Sequence, residues 1–403
     1  MARNFMCTKT DPVVETKAGK LRGFQLDGTY VFHGVKYADA KRFHQPTPVE
    51  PWEGIKNALA YGYVCPMLQQ DQPSNELMVP HRYWPLDENC QYLNIWTQHL
   101  DPNAKKPVLV WLHGGGFAAG SSIEHIAYEG ENMSKYGDVV VISLNHRLNI
   151  LGYLDLSPFG EEYKNSGNAG NADMVAALQW IHENIANFGG DPENVTLFGQ
   201  SGGGMKVWTL MQTPAADGLF HKGVVQSGCI DHFVSGNSTE QNGKAIVTAL
   251  LAELKLDDVK ALETIPYAQL AAAYNKVAPE VAKTGAYVGG NPLANDWYLG
   301  DPLEVGFTEH AKTIPVMVGT VLGEFMPALS EEEKADAALI DSMIEKRYGA
   351  EGKKLKEMFA EVYPDKDVSD VLFMDSIFRA PSTDFILKKA QHPESGTYSY
   401  MMT

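Results

Sequence analysis

The 403-residue sequence is short of basic residues: it has 33 lysines and arginines against 50 aspartates and glutamates, a formal net charge of -17. The basic residues are scattered, and they form no stripe or cluster that could follow a phosphate backbone. Nucleic acid is therefore not an expected partner. The acidity favours a role in keeping the protein in solution over one in attracting cationic substrates.

The chain also lacks long apolar runs. It has no stretch of about 18 consecutive apolar residues, the length that a membrane helix needs, and residues 1–20 have no apolar core of the kind found in signal peptides. We therefore expect a cytoplasmic protein with no membrane partner. Cys7, Cys65, Cys90 and Cys229 show no metal-ligand spacing, and a reducing compartment would keep them as thiols.

No internal repeat, low-complexity tract or linker divides the chain, so we expect a single domain over residues 1–403. Short runs rich in β-branched residues alternate with helical patterns. This alternation predicts an α/β fold, with a central, mostly parallel, twisted sheet and helices on both faces. The strand-like runs are Val108–Leu112, Val139–Leu144, Val195–Phe198, Gly223–Gln226 and Ile314–Gly319.

The segments outside these runs complete the predicted architecture. The first hundred residues contain short strand-like pieces and turns such as Asp27-Gly28, which predict an antiparallel N-terminal extension. Residues 237–283 and 330–390 carry helical periodicity and are predicted to be helical excursions over the site. Apolar residues spaced by four and three between Met174 and Phe188 predict a helix, and residues 396–403 predict a strand.

The motif G-x-S-x-G surrounds Ser201, directly after a strand-like run and before a helical pattern that begins near Gly202. Gly199 and Gly203 have no Cβ atom that would clash in so tight a turn. A serine at this point gains the helix dipole and free N–H groups, both suited to developing negative charge. We interpret Ser201 as a nucleophile, and the alternative is an ordinary serine that caps a core helix.

A second glycine motif, His113-Gly-Gly-Gly-Phe117, follows the strand-like run at 108–112. Consecutive glycines let the backbone turn several N–H groups toward one point, as an oxyanion hole requires. Gly115 and Gly116 are the expected donors, together with the N–H of Gly202; a purely structural turn is the alternative. His113 is expected to orient the loop, because the catalytic histidine comes last in chains of this type.

With these two motifs, four further segments make the sequence resemble the type-B carboxylesterase and cholinesterase family along nearly its whole length. The resemblance implies the α/β-hydrolase fold and hydrolysis of carboxylic esters by a serine nucleophile through an acyl-enzyme, with no metal or organic cofactor. The four segments are FHGVKYA at 32–38, ENCQYLNIW at 88–96, NHRLN at 145–149 and NIANFGGDP at 184–192.

The resemblance implies two further site residues and one disulfide position. The family's catalytic acid is a glutamate five residues beyond a glycine that closes a strand, and Glu324 has that spacing from Gly319. Ser227 matches a serine that supports this acid. Cys65 and Cys90 fall where many members close a disulfide around an aromatic-bearing loop, here with Tyr83 and Trp84, and whether the bond forms depends on the compartment.

The sequence departs from the family beside the nucleophile. Where the family usually has Glu-Ser-Ala, this chain has Gln200-Ser201-Gly202, so a carboxylate is missing. The change disfavours cationic choline esters and favours uncharged carboxylic esters. We assign Gln200 and Phe233 to the substrate pocket.

A second departure concerns the catalytic histidine, which in the family follows the strand that Tyr398-Ser-Tyr400 resembles. That place lies beyond residue 403. His310 and His392 flank Glu324 in sequence, but neither lies in a matching motif, and each is read as a surface residue. We therefore expect a complementary C-terminal fragment to supply the histidine, and the chain alone to be nearly inactive, because removal of the base costs about a million-fold in turnover.

Two other functions stay open from the sequence. The family includes adhesion and scaffold members, so the chain could be a catalytically inactive binding protein on the same fold. The same chemistry could also act on amides, thioesters or lactones, which pass through the same kind of intermediate.

Overall fold

A computed structural model describes residues 3–69, 82, 84–230, 242–324 and 329–403. The strands are β1 (Phe5–Met6), β2 (Val13–Glu15), β3 (Lys20–Arg22), β4 (Phe24–Leu26), β5 (Thr29–Lys36), β6 (Ala38–Asp39), β7 (Thr47–Pro48), β8 (Ile55–Asn57), β9 (Tyr92–Thr97), β10 (Lys106–Leu112), β11 (Val140–Leu144), β12 (Gly190–Gln200), β13 (Lys222–Gln226), β14 (Val316–Val321) and β15 (Thr397–Met402). The helices are α1 (Glu131–Gly137), α2 (Asn149–Tyr153), α3 (Ala169–Asn184), α4 (Gly202–Met211), α5 (Lys244–Leu254), α6 (Tyr267–Ala282), α7 (Pro302–Val305), α8 (Glu309–Thr313), α9 (Glu331–Ala335), α10 (Ala337–Tyr348), α11 (Gly352–Val362) and α12 (Arg379–Lys389).

Within the described residues the main sheet has ten strands, in the order β1-β4-β5-β9-β11-β10-β12-β13-β14-β15. The six strands from β11 to β15 in this order are all parallel to one another. The inner strands of this set carry fully buried β-branched and other apolar side chains, among them Val110, Ile142, Leu197, Val225 and Val318, whereas β15 at the edge of the sheet is largely exposed. The mostly parallel α/β sheet predicted from the sequence is confirmed.

The N-terminal part of the sheet is antiparallel, as predicted. Strands β4 and β5 form a hairpin whose turn is Asp27-Gly28, and both turn residues have positive φ, 48° and 91°. This conformation suits an Asp-Gly pair and the right-handed twist of a hairpin. Strands β1 and β9 pair antiparallel on either side of the hairpin. Strand β9 also pairs antiparallel with β11, the first of the six parallel strands.

The sheet core is closed by helices that follow the strands. Helix α3 covers the predicted apolar stripe, and a 3₁₀ turn, Ile185–Phe188, ends it at Gly189, whose positive φ of 79° suits a glycine at a helix end. Helix α4 packs against β12 and β13. The side chains of Val207, Trp208 and Leu210 in α4 are fully buried.

The helical segments later in the chain have cores of their own. Helices α5 and α6 share a second apolar cluster that includes the buried Leu250 and Leu270, and α10 and α11 share a third one around Ile344 and Phe359. Helix α12 differs from its neighbours, because it packs against β14 and β15 and places Phe385 in the core of the sheet.

None of the helices in the described ranges is both long enough and apolar enough to cross a bilayer.

Candidate active site

The candidate site lies at the carboxyl ends of three adjacent parallel strands, β12, β13 and β14. Ser201 follows β12 directly, and Ser227 follows β13 directly. The Ser201 N–H donates to the Gln226 carbonyl at 2.9 Å, and the Ser227 N–H donates to the Gly319 carbonyl at 2.7 Å. These two bonds fix the turns to the strand beside each, at the edge of the sheet where ligands bind in open α/β folds.

Ser201 has a backbone conformation that residues with a side chain rarely adopt, with φ 55° and ψ -126°. Such a conformation costs about 1–3 kcal/mol and persists only when its surroundings impose it. The residue stands at the N-cap of α4, yet its side chain makes no capping hydrogen bond. It is only partly buried, so the hydroxyl is held at the surface of the site and does not serve the helix as an ordinary cap.

The two outer glycines of the Ser201 motif are required by close backbone contacts. A Cβ atom on Gly199 would lie 2.4 Å from the carbonyl carbon of Gly203, and one on Gly203 would lie 2.0 Å from the Leu112 carbonyl oxygen. Real Cβ atoms do not approach backbone atoms so closely. Strand β12, helix α4 and the neighbouring strand β10 can therefore meet only where these positions are glycine.

The glycine loop after β10 lies against the start of α4. Gly115 and Gly116 have positive φ values of 88° and 62°, and a Cβ atom on Gly202 would lie 2.3 Å from the Gly116 nitrogen. The Gly115 carbonyl accepts hydrogen bonds from Ala118 at 3.2 Å and Ala119 at 3.1 Å. Within the described part of the chain, the N–H groups of Gly115, Gly116 and Gly202 donate to no acceptor.

His113 is buried directly before this loop. Its Nδ1 lies 2.8 Å from the Gly114 carbonyl oxygen, and its ring stacks on that of His146 at a centroid distance of 5.3 Å. Burial, with the nearby charge of Lys206, holds the pKa of His113 well below its usual value. The histidine is thus a neutral group that braces the loop, the role that the sequence predicts for it.

Glu324 lies three residues beyond β14, and its N–H donates to the Phe373 carbonyl at 3.0 Å. The Ser227 hydroxyl hydrogen-bonds to its carboxyl group. Burial raises the pKa of Glu324 and the charge of Asp375 raises it further, while the bond from Ser227 lowers it. The structure thus brings the two residues that the resemblance implies, Ser227 and Glu324, into contact.

The carboxylesterase family model matches residues 10–403. This chain belongs to the carboxylesterase family. It is 33% identical over 406 residues to para-nitrobenzyl esterase of Bacillus subtilis (strain 168), a match that covers 97% of this chain and 78% of that protein. It is 35% identical over 357 residues to phenmedipham hydrolase of Pseudarthrobacter oxydans, which covers 84% of this chain and 68% of that protein.

Solved structures agree with this assignment. An esterase of the anaerobe Clostridium hathewayi, described as able to hydrolyse aliphatic aromatic polyesters, superposes with a TM-score of 0.93 at 56% identity, over 99% of this chain and 80% of that chain. A Geobacillus stearothermophilus carboxylesterase superposes with a TM-score of 0.72 at 31% identity, over 96% of this chain and 79% of that chain. The predicted family and the α/β-hydrolase fold are confirmed, and membership supports hydrolysis of carboxylic esters.

Of the two residues assigned to the substrate pocket of this carboxylesterase, only Gln200 lies within the described residues. Gln200 is exposed at the end of β12, and a Cβ atom on Gly114 would lie 3.7 Å from its Oε1, so its amide borders the glycine loop. Phe233 lies outside the described residues, as does Tyr83.

Cys65 and Cys90, at the family's disulfide position, are both buried free thiols. Cys65 Sγ instead accepts a hydrogen bond from the Leu148 N–H at 3.2 Å. Trp84, in the loop between them, packs edge-on against Tyr61 at a centroid distance of 5.5 Å.

The two histidines considered as alternatives for the base contact other groups. His310 packs edge-on against Phe220 at 6.1 Å, and its Nε2 lies 3.5 Å from the Gly218 N–H donor. His392 lies against Phe307 and has its Nδ1 3.8 Å from Glu394. These contacts agree with the reading of both as surface residues.

Two charged residues next to the site are not predicted from the sequence. Lys206 is fully buried in α4, and Asp375 is 7% exposed beside Glu324. A lysine between Met205 and the apolar pair Val207-Trp208 of a core helix is a signal that could have been noticed. Asp375 stands fifty-one positions from Glu324 and has no such signal. In the described residues, no group of three His, Cys, Asp or Glu side chains could hold a metal ion.

Proposed function

We propose that this protein is a serine carboxylesterase that hydrolyses uncharged carboxylic esters through an acyl-enzyme intermediate. The observation that carries the proposal is the strained turn at Ser201, beside which Gly202 lies directly against Gly116 of the glycine loop, with the N–H groups of both glycines unpaired among the described residues. Strain of this kind has no benefit for stability, and it is typical of active sites. The partly buried serine and the donors together form what acyl transfer needs.

In this mechanism Ser201 Oγ attacks the carbonyl carbon of the ester while a histidine base removes its proton. The carbonyl oxygen becomes negative, and the N–H groups of Gly115, Gly116 and Gly202 stabilise it, each donor being worth about 3–4 kcal/mol of barrier. The alcohol leaves with the proton, and water then hydrolyses the acyl-enzyme by the same steps. Glu324 would hold the imidazole in one tautomer and stabilise the imidazolium that forms.

We infer that the histidine comes from outside residues 1–403, on a C-terminal continuation or a second chain. Strand β15 is parallel to β14 and next to it, and the Met402 carbonyl accepts a hydrogen bond from the Leu322 N–H at 2.7 Å. A segment that follows β15 would therefore emerge two residues from Glu324. The relatives are also longer, since the match covers 78% of the Bacillus esterase and 80% of the Clostridium esterase.

Uncharged esters are the proposed substrates because the neutral, exposed Gln200 stands where the family usually has a carboxylate. The relatives include a para-nitrobenzyl esterase and an esterase described as able to hydrolyse aliphatic aromatic polyesters. We therefore place esters with aromatic groups, polyester segments among them, within the substrate class. Amides, thioesters and lactones share the intermediate and would be tested beside them.

A catalytically inactive scaffold is the second candidate, and the geometry argues against it. A binding protein has no need of a strained serine, of three unpaired backbone donors or of a Ser227–Glu324 hydrogen bond. Each of these features costs free energy or restricts the sequence, and together they serve acyl transfer.

The test measures hydrolysis of p-nitrophenyl butyrate by the 403-residue chain and by Ser201→Ala, each with and without added imidazole. If the base is absent, the chain alone should be nearly inactive, and imidazole should restore part of the rate by occupying the place of the missing side chain. Ser201→Ala gives the background of imidazole acting in solution. Turnover that imidazole does not change would show that a histidine of this chain is the base. Equal rates for both proteins in the presence of imidazole would refute the esterase itself.

We also propose a cytoplasmic location. The thiols of Cys65 and Cys90 are hydrogen-bonded to each other, and an oxidising compartment would favour a disulfide between them. Finding both as thiols in protein isolated from cells would support the proposal. Cell fractionation with antibody detection would overturn it if the protein were found outside the cytoplasm.

A further inference from the structure

Lys206 is a buried lysine one turn into α4, five positions after Ser201. Its side chain is 0% exposed, and its Nζ donates a hydrogen bond of 2.8 Å to the carbonyl oxygen of His113. His113 is the residue from which the glycine loop Gly114–Gly116 begins. A single side chain thus links the helix that presents the nucleophile to the loop that presents the oxyanion donors.

The surroundings of Lys206 are poor in compensating charge. Its Nζ lies 6.0 Å from the centre of the Phe117 ring, and within the described residues no carboxylate is hydrogen-bonded to it. Its charge helps to lower the pKa values of His113 and His146, and Glu124 and Cys65 act on it only through longer-range charge. Burial of a lysine without a paired carboxylate is costly and needs a reason.

We infer that Lys206 is a positioning residue for the oxyanion hole, which it serves by holding the His113 carbonyl. The inference rests on the proposed function. With the His113 carbonyl fixed, the peptide plane that opens the loop is fixed too, and the N–H groups of Gly115 and Gly116 keep their direction.

The chain contains a close counterpart of Lys206 that lies away from the site. Lys389 in α12 is also 0% exposed, donates to a backbone carbonyl, that of Lys312, at 2.9 Å, and lies 5.9 Å from the centre of the Phe307 ring. It also donates to the Ser395 hydroxyl. Substitution of Lys389 therefore removes the same kinds of contacts and one hydroxyl contact more. It leaves the glycine loop untouched, so it is a matched control.

The kinetic experiment compares Lys206→Met, Lys206→Gln and Lys389→Met under the conditions, with or without imidazole, that give Ser201-dependent turnover. We expect Lys206→Met to lower kcat by about tenfold to a hundredfold with KM nearly unchanged, because the lost stabilisation applies to the transition state. Lys206→Gln, which can still donate to the His113 carbonyl, should recover part of that loss. Lys389→Met should stay within about twofold of the parent.

A second measurement, hydrogen–deuterium exchange, needs no turnover. Amides in peptides that cover residues 114–119 should exchange faster in Lys206→Met than in the parent, and at the parent rate in Lys389→Met. Equal kcat values and equal exchange for the two methionine variants would overturn the inference. If the parent protein shows no Ser201-dependent turnover, the proposed function fails, and the exchange data still decide whether Lys206 holds the loop.

Discussion

At the scale of single residues, the surroundings of Glu324 disfavour the ionised form of its carboxyl group. Glu324 is partly buried, and both its burial and the charge of Asp375 raise its pKa, so the ionised form is disfavoured in the folded protein. The imidazolium that forms during catalysis needs the ionised form beside it. The residue therefore lowers stability at neutral pH in return for activity.

Glu324→Gln tests this balance. An acid whose pKa is raised by folding costs no stability at low pH, and the cost develops as the pH rises past the ordinary glutamate pKa and through the raised one. The variant should therefore melt at a higher temperature than the parent at about pH 7, and the gain should vanish at about pH 4. When the segment that carries the histidine is present, Ser201-dependent turnover should fall about 10³- to 10⁴-fold.

Thermal melts at the two pH values and a rate assay check this prediction. Glu331→Gln is the control, because the Glu331 side chain is 90% exposed and pairs with Lys334 of its own helix, α9. A Glu324→Gln variant that is less stable than the parent at neutral pH would show that the carboxylate is held by contacts stronger than those described.

Residues with local roles were the ones that the sequence could predict. Ser201 and the glycines reveal themselves because a strained turn restricts its own neighbours, and the structure then shows the clash that each added Cβ would cause. Glu324 could be proposed only through the family resemblance, since a loop glutamate carries no local signal. Asp375 was missed because its role depends on burial between segments distant in sequence, and Lys206 was missed although its place among the apolar residues of α4 was a local signal.

At the scale of elements, the unit that matters is the strand, turn and helix formed by β12, Ser201 and α4. Its geometry depends on β10 as well, because Gly203 packs directly on the Leu112 carbonyl at the end of that strand. The strand and the helix cannot approach each other with any larger residue at this position. The turn at Ser201 therefore depends on the packing of three elements, β10, β12 and α4, and not on the five-residue motif alone.

Gly203→Ala should disrupt this unit. The added methyl would meet the Leu112 carbonyl oxygen at 2.0 Å, so the helix must shift, at a cost of about 3 kcal/mol or more and with loss of Ser201-dependent turnover. Gly137→Ala is the control, because Gly137 is exposed at the end of α1, where the methyl would meet only a Val139 methyl at 3.3 Å. Urea denaturation with a parallel rate assay compares the two, and a Gly203→Ala variant as stable and active as Gly137→Ala would contradict the packing described.

The elements themselves were largely predictable, with errors at their ends. All five strand-like runs are strands of the parallel sheet, because buried parallel strands require β-branched and apolar residues whatever the neighbours are. The strand that ends at Gln200 begins earlier than predicted, at Gly190, since Gly190 pairs with Lys106 of β10. Pairing of this kind depends on the partner strand and leaves no pattern in the sequence.

At the scale of the whole molecule, a buried ion pair joins the first ninety residues to the sheet. Arg147 and Asp173 are 1% and 0% exposed, with Nη2 to Oδ1 at 2.7 Å and Nε to Oδ2 at 2.8 Å. Gln91 donates to the same carboxylate at 3.0 Å, and Arg147 Nη1 donates to the His44 carbonyl at 2.8 Å. One carboxylate thus organises contacts between distant parts of the chain.

Asp173→Asn should lower the free energy of unfolding by about 3–5 kcal/mol, because it leaves the buried Arg147 without a counter-charge. Asp138→Asn is the control: Asp138 pairs with Lys106 and His99, but its side chain is 55% exposed, and asparagine also tolerates its positive φ. Urea unfolding curves should therefore show a large loss for the first variant and little change for the second. Similar curves for both would mean that the buried pair adds little to stability.

The central claim is that the strained Ser201 is the nucleophile, and covalent labelling tests it most directly. The protein is treated with a fluorophosphonate probe in the presence of imidazole, digested, and mapped by mass spectrometry. We predict a single adduct on Ser201, with no adduct in Ser201→Ala and a slower reaction in Lys206→Met. A parent protein that stays unlabelled, or one labelled equally well after Ser201→Ala, would contradict the account.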